Sequence, residues 1–408
     1  MKKFYALVVM LVASATALFA QGPNMQAPIP ADPSVRIGKL DNGLTYYIKH
    51  NAKPEKQGEF YILHNVGAIQ EEDSQIGLAH FLEHMAFNGT KNFPDNGLRD
   101  YLETIGVKFG YNLNAGTGPD QTIYNISSVP LLREGIIDSC LLILHDWSYF
   151  VSLLPEEIDK ERGVIVEELR TYNTAGFRMQ EKNAPTVFNG SKYAYRNIIG
   201  SEQQLRSFSH QELRDFYHRW YRTDLQAIVV VGDFDVDQME ARIKKVMADI
   251  PAVENPAPKV LVPIPGNTEP LVSVATDPEA PQNRVTIYYK SDPLPPAFNS
   301  LVVGEKIAIA KILVSRMAGY RLEEISQKPD APFVAAAAFD TDLTATCDVF
   351  AAIAIARDNE TGRAFKSIYE EMERIYRFGF TDGELERVKT ELLRECEQAY
   401  DNRNDRRS

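Results

Sequence analysis

Two short runs near the start of the chain, Val35-Arg36-Ile37 and Leu44-Thr45-Tyr46-Tyr47-Ile48, are rich in β-prone residues. Asp41-Asn42-Gly43 stands between them, and Asn-Gly joining β-prone runs predicts a hairpin. Glu59 to Val66 is a further strand candidate. From Gln75 to Phe87 the spacing changes: Ile76, Ala79, Leu82, Met85 and Ala86 recur at helical intervals, with Ser74 as an N-cap and Asn88-Gly89 as a stop. A helix is predicted over Gly97–Ile105, followed by irregular and strand-like sequence to Val129. Helices are then predicted over Leu131–Phe150, Pro155–Tyr172 and Gln211–Tyr221, a strand over Ala227–Val231 and a helix over Val236–Ile250.

The stretch 251–270, PAVENPAPKVLVPIPGNTEP, is dense in proline and reads as a linker. Beyond it the plan restarts, with strands over Arg284–Lys290, Val334–Phe339 and Cys347–Ile355 and helices over Ser300–Glu324, Glu360–Phe378 and Asp382–Tyr400. Strands and helices mix without a strict βαβ rhythm. The expected fold class is therefore α+β: two tandem domains of similar build, residues 34–250 and 271–408, each an antiparallel-rich sheet packed with helices. A chain of 408 residues is too long for one ordinary core, which agrees. No closing element is evident at the end, so the second domain reads as part of something longer.

Composition changes this picture in two places. The formal charge of −12 argues against nucleic acid and anionic membrane surfaces as partners. Lys2 and Lys3, an apolar run from Phe4 to Phe19 and small residues near Ala20-Gln21 have the layout of a secretory signal peptide over 1–20, followed by a flexible lead-in over 21–33. An uncleaved anchor is the other reading of that run, although it is short for a span. The expected location is outside the cytoplasm, periplasmic or extracellular, with no membrane span after signal cleavage. Cys140, Cys347 and Cys396 are too widely spaced for a metal knuckle or a disulfide framework.

The chemistry concentrates in His80-Phe81-Leu82-Glu83-His84, an H-x-x-E-H pattern. On a helix, positions i and i+4 share a face, so both imidazoles can reach one ion. Neutral imidazole suits zinc, and a catalytic zinc takes three protein ligands and leaves one position for water. Glu83 is placed to act as general base on that water. A third ligand is needed, and the segment Glu161 to Leu169 can supply it. Glu161 and Glu168 are seven apart and share a helix face, so one is expected as ligand and the other as a supporting carboxylate, while Glu167 faces solvent or Arg170. Without the metal these would be a surface helix with two solvated histidines and a solvated acidic face. The five remaining histidines (His50, His64, His145, His210, His218) have no partner at ligand spacing. No glycine-rich phosphate loop and no serine or cysteine nucleophile pattern is present.

The inverted motif and its surroundings resemble the pitrilysin/insulinase family of zinc metallopeptidases, in particular the N-terminal half of its members. GLAHFLEHMAFNGT (Gly77–Thr90) is similar to the family's metal helix and ERGVIVEEL (Glu161–Leu169) to its distal glutamate helix. YAYRNIIGSEQQL (Tyr193–Leu205) and the run through WYRTDLQAIVVVGDFD to Asp235 resemble further family segments. The resemblance implies one Zn2+ held by His80, His84 and Glu168, Glu83 as the catalytic base that activates the zinc-bound water, and Glu161 as a helper carboxylate. Asn114-Ala115 resembles the edge where substrate adds as a strand. The run GTGPDQT after it departs from the family's usual wording, and the spacing from His84 to Glu168 is longer than is common. The implied function is hydrolysis of peptide bonds in an extended peptide or unfolded polypeptide. Family enzymes enclose substrate between two homologous halves, so a second half is expected, downstream or on a partner chain. Arg316, Tyr320 and Arg321 are read as a core helix with a solvated basic edge. The other functional reading is a non-catalytic relative that serves as a binding or assembly subunit.

Overall fold

The computed structural model describes residues 24–133 and 135–407, so the predicted signal peptide lies outside the described residues. The chain forms two compact units. One is Ala31–Val262 with Asp405–Arg407; the other is Pro263–Asn404 with the described residues up to Pro30. Each is an antiparallel-rich sheet packed with helices. The fold class is α+β.

The first unit is built on a six-stranded sheet of β1 (Val35–Lys39), β2 (Thr45–His50), β3 (Gln57–His64), β4 (Leu113–Thr117), β5 (Thr122–Pro130) and β6 (Gln226–Gly232), in the order β1-β2-β6-β3-β5-β4. The β1–β2 hairpin pairs Lys39 with Thr45. Its turn has Gly43 at φ +97, a value that favours glycine, and the side chain of Asn42 donates to the carbonyls of Met247 and Ile250 at 3.1 and 3.0 Å. Only the β2–β6 pairing is parallel. Residues on one face of the inner strands are fully buried, among them Ile48, Phe60, Ile62, Tyr124, Ile126, Ile228 and Val230.

Eight helices belong to this unit among the described residues: α1 (Leu78–Met85), α2 (Gly97–Thr104), α3 (Ile136–Tyr149), α4 (Pro155–Tyr172), α5 (Ala175–Val187), α6 (Glu202–Ser207), α7 (His210–Trp220) and α8 (Val236–Val246). α3 packs on β3 and on α8, and buries Cys140, Leu141, Ile143, Leu144 and Trp147. The structure starts this helix later than the predicted Leu131, because β5 runs on to Pro130 and Gly135 at φ +85 makes the break. α5 had no counterpart in the sequence reading. Only Ala175 of it is buried and Pro185 lies within it, so it carries no apolar stripe to detect.

In the second unit β7 (Asn283–Ser291), β8 (Phe333–Thr344) and β9 (Cys347–Ala356) form an antiparallel sheet in the order β7-β9-β8. The helices are α9 (Val302–Ser326), α10 (Thr361–Phe378) and α11 (Asp382–Asp401). α9 lies on β8 and α10 on β9 and β7. The core is alanine-rich, with Phe333, Leu322, Ile368 and Met372 as its larger members. Cys140 and Cys347 are buried free thiols and Cys396 is exposed.

Arg321 departs from the expected solvated edge. It is buried, and its guanidinium donates to Glu384 at 2.5 and 2.9 Å, to Glu371 at 3.2 Å and to the carbonyl of Gly379 at 3.1 Å. Arg316 pairs with Glu395 and the Tyr320 hydroxyl donates to Glu391, so all three side chains serve packing within this unit. The bond from Arg321 holds the Glu384 carboxyl down at about 2. Arg321→Leu is expected to destabilise this unit by about 3 kcal/mol, because the buried Glu371 keeps only the long 3.5 Å bond from the exposed Arg374. Urea unfolding of the whole chain checks this. Since the folded pKa of Glu384 lies below its ordinary value, its contribution is present above about pH 4.5 and is lost as pH falls toward 2.

Candidate metal centre

α1 has only eight residues, and such a short helix depends on its surroundings for stability. Seven of its eight residues are buried, all but the half-buried His84. At its start, Gly77 has φ +95, and a Cβ there would come within 2.9 Å of Gly200 Cα, so only glycine fits. The carboxylate of Glu71 accepts from the amides of Gly77 at 3.2 Å and Ala79 at 2.8 Å and caps the helix. Burial pushes the Glu71 carboxyl up to about 8 against those bonds. At its end, Trp147 of α3 donates to the carbonyl of Ala86 at 3.0 Å.

α4 packs against α1. Arg162 of α4 donates to the carbonyls of Leu205 and Phe208 at 2.7 and 2.9 Å and stacks over the Phe208 ring, which meets Phe81 of α1 edge-on at 4.8 Å. This fixes the two helices against each other, and their polar residues face one point. His80 Nε2 lies 3.6 Å from one oxygen of Glu168, and His84 Nε2 lies 3.1 Å from the other. One ligand atom from each of His80, His84 and Glu168 falls within 4.8 Å of the others, the one such cluster among the described residues. Two imidazole nitrogens and a carboxylate oxygen in this arrangement form a donor set that fits zinc.

The residues around this cluster hold it. Glu161 accepts from His84 Nδ1 at 2.8 Å, which turns Nε2 toward Glu168, and the other Glu161 oxygen accepts from the Asn88 amide at 2.5 Å. Glu167 pairs instead with Arg170 on the outside of the helix. Glu83 accepts from the Thr117 hydroxyl at 2.5 Å. Burial lowers the pKa of His80, with the neighbouring His84 adding to it, so His80 is kept as neutral imidazole. Burial works against a charge on His84 too, but the bonds to Glu161 and Glu168 outweigh it and raise the imidazole to about 9. Glu161 is lowered although burial opposes it, and Glu168 is lowered chiefly by its bond to His84. Burial raises Glu83, against the bond from Thr117.

Asn114 and Ala115 lie on β4, the edge strand of the sheet, and α1 packs against this strand. The remaining histidines are elsewhere: His64 is buried against Tyr221, and His145 bridges Asp146 and Asp249. Three residues of the site were not singled out from sequence. Asn88 was read only as a helix stop and Thr117 only as part of a divergent run, and Glu71 drew no reading at all. No periodicity marks any of them: Asn88 and Thr117 each act through one bond to a distant residue, and Glu71 through two bonds to main-chain amides just ahead of it.

A family model described as Insulinase (Peptidase family M16) matches residues 46–194, the span that holds every residue of the cluster. A second, described as Peptidase M16 inactive domain, matches residues 207–392. The chain belongs to the M16 insulinase family. Among its relatives, a protein of Arabidopsis thaliana named "Zinc protease PQQL-like" is 31% identical over 92% of this chain and 36% of its own length. The "Probable zinc protease PqqL" of Escherichia coli is 29% identical over 97% of this chain and 42% of its own. The solved structure of the first half of the periplasmic protease PqqL from Escherichia coli superposes with a TM-score of 0.83 at 29% identity, covering 93% of this chain and 80% of that one. The chain thus spans well under half the length of these two curated M16 relatives.

Replacing His80, His84 or Glu168 by alanine is expected to abolish tight zinc binding. Glu161→Gln is expected to weaken it by about 10- to 100-fold, since it acts through His84. Competition with a chromophoric chelator measures both.

Proposed function

We propose that this chain is the zinc-binding half of an exported metallopeptidase that hydrolyses extended peptides. The observation that carries this reading is the convergence of His80, His84 and Glu168, with Glu83 on the same buried helix and Glu161 behind His84. Zinc held by those three residues would supply Lewis acidity, polarising the scissile carbonyl and acidifying water. The chain's own residues do the rest. Glu83 takes the proton from the attacking water and can pass it to the leaving amine. Burial and the Thr117 hydroxyl set its orientation and basicity. Glu161 fixes the His84 ring.

The ladder of β4 supports a peptide-docking role for Asn114-Ala115. Ser127 N–H donates to Asn112 and Gly118 N–H to the carbonyl of Gln121, so alternate residues 112, 114, 116 and 118 face β5. Residues 113, 115 and 117 turn their main-chain groups to the open edge. Leu113 has already used both of its groups, donating to the carbonyl of Lys108 and accepting from Gly110. The N–H and C=O of Ala115 are left to pair with an incoming extended chain, giving affinity with little sequence selectivity. The length of the curated relatives supports a second half that closes over the substrate, downstream or on a partner chain. An export setting is supported by the pattern at Lys2 to Phe19 and by the description of PqqL as periplasmic.

Glu83→Gln is expected to keep one zinc while cleavage of a quenched-fluorescence decapeptide by the protein with its second half falls by at least about 100-fold. Retained cleavage contradicts the mechanism. Wild-type protein that binds zinc but cleaves no peptide in that assay points instead to a binding subunit. Ala115→Pro removes the outward N–H without touching the ladder to β5, a position where an edge strand tolerates proline. The expected result is a raised KM with zinc binding unchanged, from the same assay run over a range of peptide concentrations.

A further inference from the structure

We propose that Thr117 is a positioning residue that ties the base Glu83 to the strand on which substrate docks. This rests on the reading of Glu83 as base and of β4 as docking edge. Thr117 is the last residue of β4; its hydroxyl donates to Glu83 Oε2 at 2.5 Å, and its main-chain N–H bonds the same carboxylate more weakly. Among the described residues, Thr117 is the one hydrogen-bond partner of that carboxylate. A glutamate has three rotatable side-chain bonds, so burial alone does not set where its oxygens point. Threonine is stiff at χ1, and the position of its hydroxyl therefore follows the backbone of the strand.

Glu83 thus receives its orientation from β4 and not from its own helix. Ala115, two residues earlier on the same strand, carries the outward main-chain pair available to substrate, and Asn114 and Gly116 beside it are held to β5. Substrate pairing at Ala115 steadies the strand that steers the base. Binding energy gained along an extended peptide is in this way delivered to the reacting centre, where it raises kcat and not only affinity. A peptide too short to span Ala115 should then lose kcat as well as KM.

The test uses Thr117→Val, which keeps the shape and the weaker main-chain bond and removes the hydroxyl, with Thr117→Ser, which keeps the hydroxyl, and Glu83→Gln as control. For Thr117→Val the expected result is unchanged zinc stoichiometry, unchanged KM and a kcat lower by about 10- to 100-fold. Thr117→Ser should recover most of it. Wild-type kcat in Thr117→Val, alongside an inactive Glu83→Gln, overturns the role of Thr117 and leaves the base reading intact. An active Glu83→Gln removes the base reading and this proposal with it. Loss of zinc or of folding in both Thr117 variants assigns a structural role and also overturns it. A crystal structure of Thr117→Val gives a readout independent of turnover: the Glu83 carboxylate should leave its single orientation, and an unchanged Glu83 contradicts the proposal.

Discussion

Two imidazoles and a carboxylate must be held facing one point, on helices whose other residues are committed to an apolar core. That requirement shapes the first unit. An eight-residue helix has too few internal hydrogen bonds to stand by itself, so its two ends are fixed from outside: Glu71 and the Gly77–Gly200 contact at the start, Trp147 at the finish. The Arg162–Phe208–Phe81 stack then sets the distance between α1 and α4. Small errors at any of these places would move a ligand atom by a large fraction of a metal–ligand bond.

Electrostatics follows from the same packing. Three glutamates and two histidines share a small, partly to fully buried volume, and each finds a different balance. Burial keeps His80 neutral, whereas the two carboxylates that flank His84 hold its imidazole protonated. A divalent cation held by this cluster would take over the attraction that the proton supplies, with Glu161 on Nδ1 keeping the His84 ring aimed. Glu83 stands apart from this set. Its partner is on the sheet, which separates the proposed base from the proposed metal ligands.

Much of this was legible in the sequence where the signal is local and periodic. The i, i+4 pair on one helix and the seven-residue interval from Glu161 to Glu168 place their side chains by helical geometry alone, and α4 spans the predicted residues 155–172. The Asn-Gly turn and the strands of both units carry their own pattern. What could not be read depends on distant partners. Asn88 is a helix stop until Glu161 lies beside it, and Thr117 is loop wording until β4 brings it to Glu83. Arg321 looked like a solvated edge because a lone arginine on a helix gives no sign of the two glutamates that enclose it from other elements. α5, with almost no buried face, leaves no periodicity at all.

The most direct measurement is anomalous diffraction at the zinc edge from crystals of the zinc-loaded protein. The expected result is one strong peak, about 2.0–2.2 Å from His80 Nε2, His84 Nε2 and a Glu168 oxygen, with Glu83 and Glu161 outside bonding distance. A peak ligated by other residues, or no peak at this cluster in protein that has taken up zinc, would contradict the assignment on which the proposed chemistry stands.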